Sequence, residues 1–436
     1  MRRLYACDVT PEMDGELVKV AGWVHEIRDL GGLRFLLLRD KTGVLQVTLP
    51  RKYVSREVFK LCGRLVRESV VEVEGRVKRE AKAPRGFELI PEKIRLLSVA
   101  ASPLPLDPTG RVSANLDTRL DNRVIDLRRA EVRAIFRVRD VALEAGRQYL
   151  RSRGFVEIHT PRIISTSSEG GTELFPIAYF EREAFLAQSP QLYKQMLMAT
   201  GLDRVYEVAT YFRAEEHDTV WHLNEVTALD CELAFIKDME DVLVVIENLI
   251  VAMIKGVISN AGEELRILKK ELRPPALPFP RLTYDEALEI LEEQGMHVRW
   301  GDDLTTESEK KLGEAMLERG HELYFITKYP LKIKPFYTMP SSEDPRYSCS
   351  FDLEYKGREI VSGSQRIHDH DLLVEQIKAK KLNPQNFTYY LNAFRYGMPP
   401  HGGFGLGIER FITLLLDLPN VREAVLFPRD RKRLEP

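Results

Sequence analysis

The chain has 436 residues, with 64 Lys and Arg against 66 Asp and Glu, a net charge of −2, and 44% hydrophobic residues. That length is too great for one ordinary core and predicts two domains. The composition is that of a soluble globular protein and excludes a fibrous or low-complexity chain.

The most apolar stretch, DVLVVIENLIVAMIKGVI at 241–258, is interrupted by Glu247, Asn248 and Lys255. It predicts a buried amphipathic helix, not a membrane span. The N-terminal MRRLYACDVTPEMDGE has no apolar run, so no secretory signal is expected, and the protein is expected in the cytoplasm. Cys7, Cys62, Cys231 and Cys349 lie far apart with no C-x-x-C pair, which argues for reduced thiols and against a zinc ribbon. Charge is uneven: residues 1–100 carry a net +6 and the remainder −8. A basic small domain beside an acidic large one permits a polyanionic partner at the N-terminal part.

Residues 1–102 read as a small β domain. LVKVAGWVHEI, RFLLLRD, VLQVTLP, SVVEVEGRVKRE and GFELIPEKIRLLS are apolar or β-branched runs separated by turn signals at 29–32, 41–43 and 83–86. SREVFKLCGRLVRE interrupts them with helical spacing after the third run. Five strands with one helix between the third and fourth suit an OB-fold barrel, a common binder of single-stranded nucleic acid; an SH3-like barrel is the alternative. Residues 103–130, rich in Pro, Asp and Arg, read as a hinge segment. From 131 to 436 the pattern is mixed α and β, with RAIFRVRDVALEAGRQYLRSRG as a helix ending at Gly154. YDEALEILEEQG and ESEKKLGEAMLERG predict a helical insertion at about 265–345.

Three separated segments carry chemistry. In YFRAEEHDTVWHLNE (211–225) a strand delivers Arg213 to a loop containing His217. An arginine there can grip a phosphate through two hydrogen bonds; a solvated hairpin with surface ion pairs is the plain alternative. In GREIVSGSQRIHDHDLL (357–373), Glu359 and Ser362 offer oxygens to one Mg²⁺, an ion that favours carboxylates plus substrate phosphates, and Arg366 adds a cation. His368 and His370 share a strand face but have no third ligand, so polar surface or a helix start is the preferred reading. In GMPPHGGFGLGIERFITLLL (397–416) a glycine-rich strand runs into an apolar helix with Arg410 in its first turn. Glycines admit close backbone approach and a helix start favours anions; tight helix–strand packing explains the glycines equally well. Neither a G-x-G-x-x-G nor a P-loop pattern is present. Together the segments outline a nucleotide site built without a P-loop.

The combination resembles the class II aminoacyl-tRNA synthetases. GFVEIHTPRI with Pro161 resembles their motif 1, FRAEEHD…HLNEVTALDCE with Arg213 their motif 2, and GFGLGIERF with Arg410 their motif 3. Motif order, spacing and the preceding OB-like domain resemble the subclass for Asp, Asn and Lys. EGGTELFPI (169–177) and QSPQLYKQ (188–195) resemble its aspartate enzymes, of the short archaeal type. The resemblance implies an α+β fold: an antiparallel catalytic sheet flanked by helices, with an N-terminal all-β OB-fold barrel. It implies ATP as substrate, Mg²⁺ as cofactor, tRNA-Asp as partner, a homodimer, and no membrane.

The resemblance also implies roles. Arg213, Ala214, Glu215, Trp221, His222, Leu223, Glu359, Gly407, Ile408, Glu409 and Arg410 would bind ATP, with Arg213 and Arg410 catalytic. Glu169, Gln191, Leu192, Tyr193, Lys194, Arg213, Asp230, Ser362 and Arg366 would bind aspartate, and Lys194 would set the preference for a carboxylate over a neutral amide. Asp230 would orient the cations from behind. Glu359 and Ser362 would hold Mg²⁺. Family members often carry Arg at the position of Trp221, and an indole cannot replace a charge on phosphate; compensation by His217 or by a residue elsewhere is expected. Arg28, Phe35 and Gln46 match the face that reads the anticodon, although alternation alone would place Phe35 in the core. Pro84 resembles enzymes that also charge tRNA-Asn, and His25 those that charge only tRNA-Asp; the balance is drawn slightly toward the relaxed type. The rival readings are an asparaginyl-tRNA synthetase and a non-catalytic RNA-binding relative.

Overall fold

The computed structural model describes residues 2–165, 173–216 and 219–436. They form two compact units, Met1–Pro105 and Leu106–Pro436.

In the smaller unit five strands, Leu17–Asp29, Leu33–Asp40, Gly43–Pro50, Val70–Arg79 and Phe87–Ser98, close on one another, since the first pairs with both the second and the fourth. The third and fifth also meet in parallel at Val47 and Leu89. The period of two drives this closure. Val18, Val20, Val24, Leu36, Leu38, Leu45, Val47 and Leu49 all point inward and are buried. Gly22 stands where a side chain would strike the carbonyl of Arg39 on the neighbouring strand. Helix Arg56–Cys62 sits between the third and fourth strands, capped by Ser55, whose hydroxyl accepts from the Val58 N–H. This is the OB-type barrel.

The larger unit is built on an eight-stranded sheet. In spatial order its strands are Arg281–Thr283, Leu323–Thr327, Ser350–Tyr355, Glu359–Arg366, His401–Gly407, Glu225–Ala234, Arg204–Phe212 and Val156–Glu157. The six inner strands are antiparallel, and the two edge strands join in parallel. Alternation sorts the faces. Leu229, Cys231, Leu233, Phe351, Leu353, Phe404 and Leu406 enter the main core with helices Ala130–Ser152, Glu240–Asn260 and Ile408–Leu415. Helix Glu240–Asn260 thus packs inside the protein, with Val242, Leu243, Ile246, Leu249, Ile250 and Met253 buried. The residues between them, Asp230, Glu232, Ser350, Asp352, Ser362, Ser364, Gly403 and Gly405, lie on the opposite face.

Two stretches differ from their sequence reading. Residues 103–130 do not form a free hinge. Helices Leu116–Asp121 and Arg123–Asp126 fall in this stretch, and Arg123 is buried with its guanidinium on Asp126 (2.6 Å) and on the Leu426 carbonyl (2.9 Å). The Arg and Asp that resemble linker composition are a buried ion-pair network. Residues 265–345 do contain helices Tyr284–Glu293 and Thr306–Glu318, with their own apolar cluster around Tyr284, Leu312 and Tyr324. They also supply two strands of the main sheet, so this stretch extends the sheet instead of standing apart as a helical insertion.

A Cβ on Gly403 would collide with the Glu232 carboxylate and the Cys231 carbonyl. Gly403→Ala is expected to lower the thermal midpoint strongly, by the equivalent of about 2 kcal/mol or more, read by calorimetry; an unchanged midpoint would contradict the packing described.

Candidate active site

A cavity of about 270 Å³ opens on the polar face of the main sheet. Its floor is a cross-strand row in which Ser362 faces Gly405 and Gly405 faces Asp230. Gly405 leaves space that a side chain would take from Asp230, whose Oδ1 would lie 3.1 Å from an added Cβ. The neighbouring row, Ser364–Gly403–Glu232, is built in the same way. Glycines on this strand therefore lower the floor beneath two carboxylates.

Those carboxylates meet two buried cations. Lys194, on helix Gln191–Leu197, directs Nζ to Asp230 Oδ1 (3.0 Å) and to the carbonyls of Cys231 (3.2 Å) and Phe404 (3.0 Å), with Glu232 at 3.5 Å. Arg366 Nε lies 3.0 Å from Glu232, and its Nη1 2.8 Å from Ser364 Oγ. Burial opposes the charge of Glu232, but Arg366 and then Lys194 hold its carboxyl below the ordinary range. His401 is also buried. Its Nδ1 donates to the Pro399 carbonyl (2.9 Å), which leaves Nε2 to accept from Gln195 (3.1 Å). Burial is the largest influence on its ring and lowers the pKa to about 4.

The mouth carries the remaining charges. Arg213 follows strand Arg204–Phe212 and lies 3.7 Å from Glu215. Its carbonyl and that of Glu215 both accept from the Asn224 side chain (2.7 and 3.0 Å), which pins the hairpin. Arg410, in the first turn of Ile408–Leu415, donates to the Glu359 carbonyl (3.1 Å). Burial, then Asp352, pushes the Glu359 carboxyl up, against Arg410, Lys334 and Arg213. Lys334 Nζ holds Asp352 Oδ2 at 2.7 Å, while Asp352 Oδ1 and Glu354 Oε2 are buried with no hydrogen-bond partner among the described residues.

The cavity wall includes Gln191, Arg213, Glu215, Trp221, His222, Leu223, Asp230, Glu359, Ser362, Arg366, Gly407, Glu409 and Arg410, all anticipated from sequence. Others are displaced from the expected place. Leu192 belongs to an apolar cluster with Ile367 and Tyr390, and Ile408 to the main core, so neither side chain lines the cavity. Ala214 and Tyr193 are also absent from the wall. Lys194 stands behind Asp230 and is not on the wall, so Asp230 is the member of the pair that lines the cavity. Glu409 lines the wall but commits its oxygens to Arg139 (2.8 Å) and the Thr227 N–H (2.9 Å). Glu169 and His217 lie outside the described residues. Asp369 caps helix His370–Ala379, with its carboxylate accepting from the Leu372 N–H, so the His-Asp-His run is a helix start.

Sequence reasoning missed Glu232, Ser364 and Lys334. The first two are signalled by alternation, two positions beyond Asp230 and Ser362 on the same face. Lys334 lies in a loop with no periodic signal.

On the barrel, Arg28 pairs directly with Phe35, and Leu37 with Gln46, which places Arg28, Phe35 and Gln46 on one face. The adjacent positions, Leu36, Leu45 and Val47, fill the core, so Phe35 faces outward and the core reading of it is excluded. His25 sits at a β-bulge with its Nδ1 3.0 Å from Arg39, which is itself paired with the buried Glu68 (2.6 Å). Pro84 is exposed in the turn between the last two strands.

Because an unfolded histidine binds its proton well above pH 4, acid favours the unfolded chain. The contribution of neutral His401 is complete above pH ~6.5 and lost as pH falls toward ~4, an effect of about 3 kcal/mol. Thermal midpoints between pH 7 and 4.5 are expected to fall less steeply in His401→Gln than in the parent; parallel curves would remove His401 from the account.

Comparison with known proteins agrees with this geometry. The family described as "tRNA synthetases class II (D, K and N)" matches residues 115–431, and "OB-fold nucleic acid binding domain" matches residues 18–97. The chain is 56% identical to the aspartate–tRNA(Asp) ligase of Pyrococcus abyssi and 53% identical to the aspartate–tRNA(Asp/Asn) ligase of Methanopyrus kandleri, each over 100% of both chains. The asparaginyl-tRNA synthetase of Pyrococcus horikoshii, solved with asparaginyl-adenylate, superposes with a TM-score of 0.94 at 36% identity over 100% of both chains. The chain belongs to the class II tRNA synthetases of the Asp, Lys and Asn group.

Proposed function

We propose that this chain is an aspartate–tRNA ligase, which activates L-aspartate with ATP and transfers it to the 3′ end of tRNA-Asp. The observation that carries the reading is the buried Lys194–Asp230 and Arg366–Glu232 set directly beneath a cavity whose mouth holds Arg213, Arg410 and Glu359. A carboxylate side chain on the substrate is matched by Arg366 and by the Lys194 charge behind Asp230. The neutral amide of asparagine would gain little from them. Gln191 and Asp230, on the wall, are acceptors for the substrate ammonium.

In the first step an α-carboxylate oxygen attacks the α-phosphorus of ATP in line. A P–O bond forms, the bond to the bridging oxygen breaks, and pyrophosphate leaves with that electron pair. No side chain acts as nucleophile; positioning and charge neutralisation supply the acceleration. Arg213 holds the α-phosphate, and Arg410 the γ-phosphate end. In the second step the terminal ribose hydroxyl of tRNA attacks the adenylate carbonyl and AMP leaves.

Magnesium fits the donors present. Glu359 and Ser362 are hard oxygen donors on the cavity wall, and the orphaned Asp352 Oδ1 lies opposite Ser362 in the sheet. Among the described residues no group of three or more His, Cys, Asp and Glu could hold a metal. When bound, the ion would neutralise phosphate charge and would take its remaining ligands from the phosphates. The outward face of Arg28, Phe35 and Gln46 is the proposed anticodon reader, with Phe35 as a stacking platform. We further propose a homodimer in the cytoplasm.

Arg213→Ala is expected to lower aspartate-dependent ATP–pyrophosphate exchange by about 100-fold or more; retained exchange removes its role. The proposed substrate is read by charging purified tRNA-Asp and tRNA-Asn with labelled aspartate in parallel. Charging of both makes Pro84 the better guide to tRNA range, and charging of tRNA-Asp alone makes His25 the better guide. Charging of neither, with asparagine accepted instead, overturns the proposal.

Phe35→Ala is expected to weaken tRNA charging, at about 1–3 kcal/mol per stacked base, while exchange without tRNA is unchanged. An equal loss of both activities would mean that the change disturbs more than the anticodon face.

A further inference from the structure

Trp221 lines the cavity, and its indole is not a group that can pair with a phosphate charge. Behind it stands Arg358, with its guanidinium carbon 5.3 Å from the ring centroid. This arginine is not a mobile surface side chain. Its Nη1 donates to the Thr306 carbonyl (2.9 Å) and to Glu309 (3.3 Å), and the side chains of Arg358 and Glu309 are only 16% and 18% exposed. The turn that carries it is locked in place as well. Gly357 adopts a positive φ of 73° and lies against Gly313 of helix Thr306–Glu318 so closely that a side chain on either would strike the other's backbone. The backbone just before Trp221 is held by another segment: Val220 accepts from the Val421 N–H (3.0 Å), and Thr219 from Arg422 (3.1 Å).

The position of this pair gives it a purpose. Arg358 directly precedes Glu359, and Glu309 feels the charges of Glu359, Arg410 and Arg358 together, so all four share one corner. That corner is the end of the cavity at which Arg410 and Glu359 converge. A guanidinium set over an indole at this distance helps to fix the ring. It also places positive charge beside the cavity without occupying any of its volume.

We propose that Arg358 is a positioning residue for the polyphosphate end of the nucleotide, acting through Trp221, which it holds as the wall of that end. The proposal rests on the reading of the site as an ATP site. Helix Thr306–Glu318, remote in sequence from all three signature segments, is thereby coupled to the nucleotide through Glu309, Arg358 and Trp221.

The test uses the full-length enzyme with Trp23→Phe and Trp300→Phe, so that emission reports Trp221 alone. ATP titration is expected to change that emission in this background and to change it much less after Arg358→Met. In exchange assays Arg358→Met is expected to raise KM for ATP by about 3- to 30-fold, the range of a cation–π contact, with KM for aspartate and kcat little changed. Arg358→Lys, which keeps a cation, restores most of the ATP affinity. Adding Arg358→Met to Trp221→Leu costs little more than Trp221→Leu alone. Arg358→Gln serves as the second variant if Arg358→Met folds poorly. Unchanged KM for ATP, or two losses that simply add, overturns the proposal. Absence of exchange in the parent enzyme would instead overturn the ATP reading beneath it.

Discussion

The site depends on four charges set into one face of a sheet. Lys194, Arg366, Asp230 and Glu232 are all buried or nearly so, and isolated burial of any of them would be costly. They are tolerated because they neutralise one another at 3.0–3.5 Å and because carbonyls of two strands take the remaining donors of Lys194. This arrangement constrains its surroundings. The strand beside the carboxylates has to be glycine at 403 and has little room at 405, the helix carrying Lys194 has to bring Nζ to the strand carbonyls, and His401 is kept neutral by burial at the margin of the set. On the proposed reading such a set would act by preorganisation, since its dipoles and charges are already oriented.

Much of this was legible from sequence because the code in strands is so simple. Where residues alternate between an apolar core and a polar site, as in Leu229-Asp230-Cys231-Glu232, the pattern states which side chains share a face. The same alternation describes the barrel core and leaves Arg28, Phe35 and Gln46 on a common outer face once register is known. Register was the missing quantity for Phe35: a shift of one residue would have put it inside.

What sequence did not reveal has a common cause, which is charge used structurally. Residues 103–130 have the composition of a solvated linker, yet Arg123 and Asp126 are buried against the C-terminal segment. Lys194 was expected among the residues that bind aspartate, and its helix buries it behind Asp230. Arg358 gave no signal because its partners, Glu309 and Trp221, are 49 and 137 positions away. A charged side chain carries no periodic mark of whether its partner is water or protein.

The charge balance of the cavity then argues for what has to accompany the nucleotide. Among the described residues the wall carries four cations, Arg213, Lys334, Arg366 and Arg410, and four carboxylates, Glu215, Asp230, Glu359 and Glu409. Lys334 pairs with Asp352, and Arg366 shares its charge between Glu232 and the cavity it lines. Arg213 and Arg410 at the mouth would not by themselves offset a triphosphate and an acidic amino acid together, and burial, then Asp352, already raises the Glu359 carboxyl. A divalent cation arriving with the phosphates resolves both difficulties at once. On the proposed reading it would supply the missing charge and offer a partner near the buried Asp352 Oδ1, which has none among the described residues. The acidic corner would then be, on the same proposed reading, one half of a binding surface whose other half is the metal–nucleotide complex.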